Sequence, residues 1–379
     1  MKKAFRNILF ILLTIIAVYY IWSYTGRQVP SPDTDMHLDT TYIINSDVGK
    51  GNLLGINPYM TPLDYASKEN FRTKIGAYLQ DAKRRGWLNP KTVVIYPEYI
   101  GSWLVVANEK TSIYNSPTMQ KAISTFILSN AILYIRDWFT APDDAKDKIK
   151  HAVFASKSET MSGIYKEVFS GLAKEYHVSI VAGSILLPNA EFHKDHIDTW
   201  KGSLYNISGV FDTAGKLEPL LVKKAYPTSE EQPFVAAGKT SESPTFQLPA
   251  GRTSVLICAD SWYPDSYTNM NKDGALLVAV PSYTQSDRSM QMPWMGYSGH
   301  PTPKDVDTSD IGRISLREAW LKYTIPNRLK GKGRYGMCVS LRGRMWDLGS
   351  DGEIIAVNGE SVFCGPPLKG ASMACMWIK

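Results

Sequence analysis

Apolar positions fall along this chain in three kinds of run, and each predicts a different element. The first is a continuous block from Ile8 to about Trp22, preceded by Lys2, Lys3 and Arg6 and closing on Tyr19, Tyr20, Trp22 and Tyr24. Basic residues before such a block and aromatic residues at its end are the pattern of a helix in a bilayer. At ~15 to 19 residues the block is short for a span, so a signal-peptide core competes with it, and a buried core helix is the third reading. No small-x-small cleavage site follows, and Ser23-Tyr24-Thr25-Gly26-Arg27-Gln28 is poor for cleavage, which favours a retained anchor. The basic residues then predict a single-pass membrane protein with its N-terminus in the cytoplasm and the remaining chain on the outer, extracytoplasmic side. Residues 1–28 are read as this anchor or signal segment. Residues 29–49, with Pro30, Pro32, Asp33 and Asp35, are read as a linker.

The other two kinds of run alternate through residues 50–379. Short apolar runs at 52–58 and 92–95 predict strands, and between them 65–86 has helical spacing with Ala66, Phe71, Ile75, Tyr78 and Leu79 on one face. A helix over 158–176 and a strand over 178–185 repeat the pattern. Runs at 204–211 and 217–226 flank Asp212-Thr213-Ala214-Gly215-Lys216, a hairpin turn. Strands follow at 253–258 and 274–280, then a meander at 336–341, 353–357 and 360–363 broken by Asp351-Gly352 and Asn358-Gly359. Alternating strands and helices with hairpins predict an α/β domain, a mixed sheet or pair of sheets covered by helices. Two stretches stand apart. Residues 118–139 carry Ile123, Phe126, Ile127, Ile132, Leu133, Ile135 and Phe139 on a helical face, expected to pack on the core, with a membrane-surface helix as the alternative. Residues 284–311 read as a long loop of the kind that forms lids.

Composition narrows the class. With 44% hydrophobic and 21% charged residues the chain of 379 can bury a large core. Its 42 basic residues are scattered among 36 acidic ones, for a net charge of +6, which weighs against nucleic acid as a partner. Four cysteines, Cys258, Cys338, Cys364 and Cys375, form no CxxC pair. An exported domain could pair some of them, but the last three read as ordinary small apolar residues. Gly331-x-Gly333-x-x-Gly336 has dinucleotide spacing but precedes a strand instead of opening a helix. His193 and His196 lack a third ligand, so no metal is expected, and no GxSxG occurs.

Three segments could carry chemistry. In Val255-Leu256-Ile257-Cys258-Ala259-Asp260-Ser261-Trp262 a cysteine ends an apolar strand and opens a turn, where backbone N–H donors become available to a thiolate. Taken alone, such a cysteine is more often structural. Val93-Val94-Ile95-Tyr96-Pro97-Glu98-Tyr99 sets a carboxylate directly after another buried strand, where desolvation would raise its pKa towards general-base range. In Val222-Lys223-Lys224-Ala225-Tyr226-Pro227 two lysines end a strand, and because successive residues face opposite sides only one can enter a pocket.

Together, in the order Glu, Lys, Cys, these segments resemble the carbon–nitrogen hydrolase (nitrilase) superfamily over roughly residues 50 to 360. Tyr96-Pro97-Glu98 matches its first motif; Lys223, four residues before Pro227, the second; and Cys258, Asp260, Pro264 and Asp265 the third, Cys-x-Asp-x-x-x-Pro-acid. Lys224 takes the place of Lys223 if the register shifts by one. Members often carry a second glutamate after the lysine, and Glu231 fits that spacing better than Glu230. The resemblance implies a four-layer α-β-β-α sandwich, usually dimerised, with no metal or organic cofactor. It implies Glu98 as general base and acid, Cys258 as nucleophile, and Lys223 with the Ala259 N–H as oxyanion donors. Glu231 would orient the lysine or the substrate, and Tyr99 and Trp262 would meet the substrate.

The tethered arrangement also resembles the catalytic part of apolipoprotein N-acyltransferase, but that family carries many membrane helices and this chain has one. Hydrolysis of a small-molecule or lipid-like amide is therefore the expectation, ahead of acyl transfer and of a catalytically silent binding module with a structural Cys258.

Overall fold

The computed structural model describes residues 2–194 and 196–379; Met1, the first residue of the expected anchor, and Asp195 lie outside the described residues. Two six-stranded sheets form the body. The first runs in the order Leu38–Ile44, Ala371–Trp377, Asn52–Asn57, Thr92–Ile95, Ser179–Val181, Val210–Phe211. The second runs Thr245–Leu248, Gly251–Val255, Leu277–Ser282, Tyr335–Ser340, Ile355–Asn358, Val362–Cys364. Both are mixed: parallel pairing at the centre of each sheet gives way to antiparallel pairs at one or both sides.

Alternation along the strands decides what each face touches. In the first sheet Leu54, Val94 and Ile180 join a cluster with Phe71, Ile75 and Leu79 of the helix Lys68–Arg84 and with Tyr165, Phe169 and Leu172 of the helix Ser158–Tyr176. Their neighbours Leu53, Val93, Ile95 and Val181 turn the other way, towards Val278, Val280, Met337 and Val339 of the second sheet. The two sheets therefore meet face to face, so closely that a Cβ on Gly55 would lie 2.2 Å from the Met337 sulfur. Helices Leu316–Tyr323 and Ile325–Leu329 bury Ala319, Trp320, Ile325 and Leu329 in the same cluster as the second sheet.

The structure departs from three sequence expectations. Leu38–Ile44, placed in the linker, is an edge strand hydrogen-bonded in parallel to Ala371–Trp377, so the folded domain begins earlier than residue 50. A strand whose partner lies more than 300 residues away gives no local sign of pairing. The helix expected over 118–139 breaks at Asn130 into Met119–Ser129 and Ala131–Phe139. The first half packs Ala122 and Phe126 inward, but the second buries only Asp137. The run 217–226 contributes just Val222–Lys223 to a small sheet with Leu204–Ser208 and Ile185–Pro188.

The N-terminal apolar run is one 23-residue helix, Lys2–Tyr24, long and apolar enough to cross a membrane. At 1.5 Å per residue it measures about 34 Å. Such a helix near an N-terminus suits a membrane span or a signal sequence.

Candidate active site

Four strand ends converge on one buried cluster. Glu98 leaves the Thr92–Ile95 strand through Pro97, and Tyr99 follows in the left-handed region at φ 62°. This turn rests on Gly183 and Ser184. The Ser184 hydroxyl accepts from Tyr99 N (2.9 Å), and a Cβ on Gly183, itself at φ 62°, would lie 2.1 Å from the Pro97 carbonyl oxygen. Only glycine allows that approach.

Val222 and Lys223 pair with Ser208 and Ile207, and alternation then sends Val222 and Lys224 inward. The lysine in the cluster is accordingly Lys224. Lys223, expected there, lies on the opposite face, half-buried, with its ammonium 4.5 Å over the Tyr205 ring. Lys224 Nζ donates to Glu98 Oε1 at 2.8 Å and to Glu231 Oε2 at 2.6 Å, with all three side chains buried. Glu231 also accepts from Thr228 N (2.8 Å) and from the Tyr99 hydroxyl. Tyr99 thus supports Glu231, a role that expectation had not given it.

Asn206 was not singled out from the sequence. Its amide donates to Glu98 Oε1 (2.8 Å) and to Glu231 Oε1 (3.2 Å), holding both carboxylates with Lys224 between them. The available signal was a lone amide among the apolar residues of Leu204–Ser208, where a buried polar group needs a partner.

Cys258 opens the short helical turn Cys258–Trp262 at φ 48°, a conformation rare for a residue with a Cβ. Its thiol donates to the Tyr283 carbonyl oxygen at 3.7 Å, and it is buried close enough to Glu98 and Lys224 for both charges to act on it. Asp260 fastens this turn to the lysine segment, accepting from Ala225 N (3.0 Å), Tyr226 N (2.9 Å) and Ile257 N (3.3 Å). Ala259, the expected backbone oxyanion donor, follows Cys258 as the second residue of this turn and is half-buried. Trp262, expected to meet substrate, is instead buried among Trp294, Trp320 and Tyr297, because the turn carries it into the core under residues 284–311. The other three cysteines are unpaired, and Cys338 and Cys375 are buried.

Charge in the cluster is unevenly shared. Burial raises the Glu98 pKa; Lys224 offsets this in part and the Glu231 charge adds to it. Burial acts on Glu231 in the same sense, but Lys224, Tyr99 and Thr228 N more than offset it and hold Glu231 below the ordinary glutamate value. Burial would lower Lys224, yet the two carboxylates raise it well above a free lysine. Burial, with the Glu98 charge, raises the Cys258 thiol far above its usual range. The arrangement is one permanently paired carboxylate, one titratable carboxylate, a locked ammonium and a neutral thiol that needs a base.

The sequence model for carbon-nitrogen hydrolase matches residues 64–301, a span that holds every member of this cluster. This chain belongs to the carbon–nitrogen hydrolase family. Among solved structures it is similar to a cysteine-to-serine mutant of the Nesterenkonia AN1 amidase from the nitrilase superfamily, at 12% identity and TM-score 0.50, covering 86% of this chain and 90% of that one. It is also similar to Saccharomyces cerevisiae Nit3, a member of branch 10 of the nitrilase superfamily, at 15% identity and TM-score 0.47, over 86% and 91% of the two chains. At 12% identity the likeness to the amidase speaks for a nitrilase-like α/β fold. No curated protein matches the chain in sequence.

Proposed function

We propose that the protein hydrolyses a non-peptide amide through a thioester on Cys258, with Glu98, Lys224 and Cys258 as the catalytic set. The observation that carries this is Lys224 held between Glu98 and Glu231 beside a neutral thiol in left-handed backbone conformation. Strain of that kind is kept where surroundings over-determine it, most often at reactive residues. Glu98 takes the thiol proton as sulfur attacks the amide carbonyl, and Lys224 Nζ with the Ala259 N–H receives the developing oxyanion. On collapse the C–N bond breaks, Glu98 returns its proton to the leaving amine, and the acyl group stays on sulfur. Water, deprotonated by Glu98, then attacks the thioester, the C–S bond breaks to release the acid, and Glu98 returns the proton to the Cys258 sulfur. Glu231 keeps Lys224 charged and aimed, and Asn206 bridges the two carboxylates. That similar solved structures include an amidase supports an amide as substrate.

The same reading treats the two facing sheets and their helices as an α-β-β-α sandwich, and Lys2–Tyr24 as a single retained membrane anchor with the catalytic domain outside. The test is incubation of the full chain with a panel of primary and N-alkyl amides, acid quench and peptide mass mapping. An acyl mass on Cys258, ammonia or amine release, and loss of both in Cys258→Ala are expected. Amide turnover that survives Cys258→Ala would overturn the reading. Acyl product appearing on an added amine in place of the free acid would reassign the enzyme as a transferase.

A further inference from the structure

The Lys2–Tyr24 helix does not end free of the domain. Ser23 Oγ donates to Ser129 O at 2.5 Å, the Tyr19 hydroxyl accepts from Ala131 N at 3.0 Å, and Arg27 pairs with the buried Glu109 at 2.9 Å. Lys110 lies 4.5 Å over the Trp22 ring and donates to Thr25 O at 2.6 Å. The helix is therefore fastened where Met119–Ser129 meets Ala131–Phe139. Tyr19 lies about 7.5 Å before the helix end at 1.5 Å per residue, so Ala131 sits level with the helix's aromatic girdle.

From that point Ala131–Phe139 turns its apolar side outward. Ile132 is 52% exposed, Ile135 50%, Trp138 39% and Phe139 74%, and Ile149 of the adjoining helix Lys148–Ala155 is 54% exposed. Isolated exposed apolar residues are ordinary, but a cluster of this size on one short helix and its neighbour marks a surface that binds something. Lys148 lies 6.0 Å over the Trp138 ring, Lys146, Asp147 and Lys148 line the hollow beside it, and Arg136 folds sideways onto Asp137 at 2.8 Å. Apolar residues with an indole at their edge and cations around them suit the headgroup region of a bilayer.

Taking Lys2–Tyr24 as the anchor proposed above, we infer that Ala131–Phe139 lies in the lipid surface from which that helix emerges, so that the domain is held against the membrane at two points. The bilayer is the occupant favoured by continuity, since the exposed face begins at the residue bonded to the helix's own aromatic end. Its consequence is a catalytic domain of fixed tilt. The chain from Glu98 to Lys110 joins the active site directly to the clamp on the helix, which favours substrates presented at the membrane surface.

Photocrosslinking of the full-length chain tests this. p-Benzoylphenylalanine is introduced in place of Phe139, of Ile11 within the helix, or of Met295, which is exposed on the side of the second sheet. Each protein is reconstituted in vesicles of phosphatidylcholine and phosphatidylglycerol, irradiated and mass-mapped. Lipid adducts at positions 11 and 139, each at least tenfold above position 295, are expected. Adducts at 11 with none above background at 139, or a crosslink from 139 to a second copy of the chain, would overturn the inference while leaving the anchor intact. Absence of adducts at both 11 and 139 would remove the anchor reading and this inference with it.

Discussion

Replacing Lys224 by methionine tests the site most sharply, because the neighbouring lysine provides a control one residue away. Lys224 is 1% exposed and its ammonium touches two carboxylates at 2.8 and 2.6 Å. Methionine fills most of its volume but leaves Glu98 and Glu231 facing each other without a cation. Breaking a buried ion pair in this way costs about 3–5 kcal/mol. For a domain of this size that lowers the unfolding midpoint by about 4–7 °C. Losing one oxyanion donor slows amide turnover by about 10²–10³-fold. Alkylation of Cys258 by iodoacetamide, which reads the thiol alone, slows as well, because the Lys224 charge that favours the thiolate is gone. Lys223→Ala removes only a half-buried contact with the Tyr205 ring, worth about 0.5–1 kcal/mol, and leaves turnover unchanged. In the double variant Lys224→Met, Glu231→Gln one of the two stranded charges is gone, so the midpoint recovers in part while turnover does not. The assays are thermal unfolding in detergent, amide turnover and peptide mapping of alkylated cysteine with Cys338 as internal reference. Turnover lost in Lys223→Ala and kept in Lys224→Met would refute the assignment, as would a Lys224→Met protein as stable as the parent.

Four further outcomes are expected. Gly183→Ala drives a Cβ to 2.1 Å from the Pro97 carbonyl and displaces the turn that carries Glu98, lowering both stability and Cys258 alkylation, whereas Gly86→Ala, at φ 73° with open space around it, costs only about 1–2 kcal/mol and leaves alkylation unchanged. Asn206→Leu removes a donor shared by two buried carboxylates, a loss of about 1.5–3 kcal/mol in stability, and moves the acid limb of the alkylation rate to higher pH because Glu98 then holds its proton more tightly; a limb that stays in place would refute the role given to Asn206. In the parent protein burial has already raised Glu98, so activity, which needs its carboxylate, falls on acidification at a pH above the ordinary glutamate range. Glu231→Gln removes the repelling charge and leaves Lys224 wholly to Glu98, so in that variant the limb moves down; an upward shift in the pH–rate profile would contradict the geometry.

Much of this protein is written in local pattern. The strands before Glu98 and Cys258, the helices Lys68–Arg84 and Ser158–Tyr176 and the N-terminal apolar helix are all legible, because burial of one face imposes a period of 2 or 3.6 on neighbouring residues. The placing of Glu98 and Cys258 just after apolar strands is legible in the same way, whereas Glu231 is reached only through the family resemblance. Which lysine points inward is not legible. Leu220, Leu221 and Val222 are all apolar, so alternation carries no phase there, and the phase is set by pairing with Leu204–Ser208. Asn206 shows only as a lone amide in an apolar strand, since its importance lies in two carboxylates that reach it from distant segments. The strand Leu38–Ile44 and the outward face of Ala131–Phe139 likewise depend on what lies across from them, a strand over 300 residues away in one case and the end of the N-terminal helix in the other. Periodicity reports that a face is apolar; its partner is settled only when the chain folds and brings remote surfaces together.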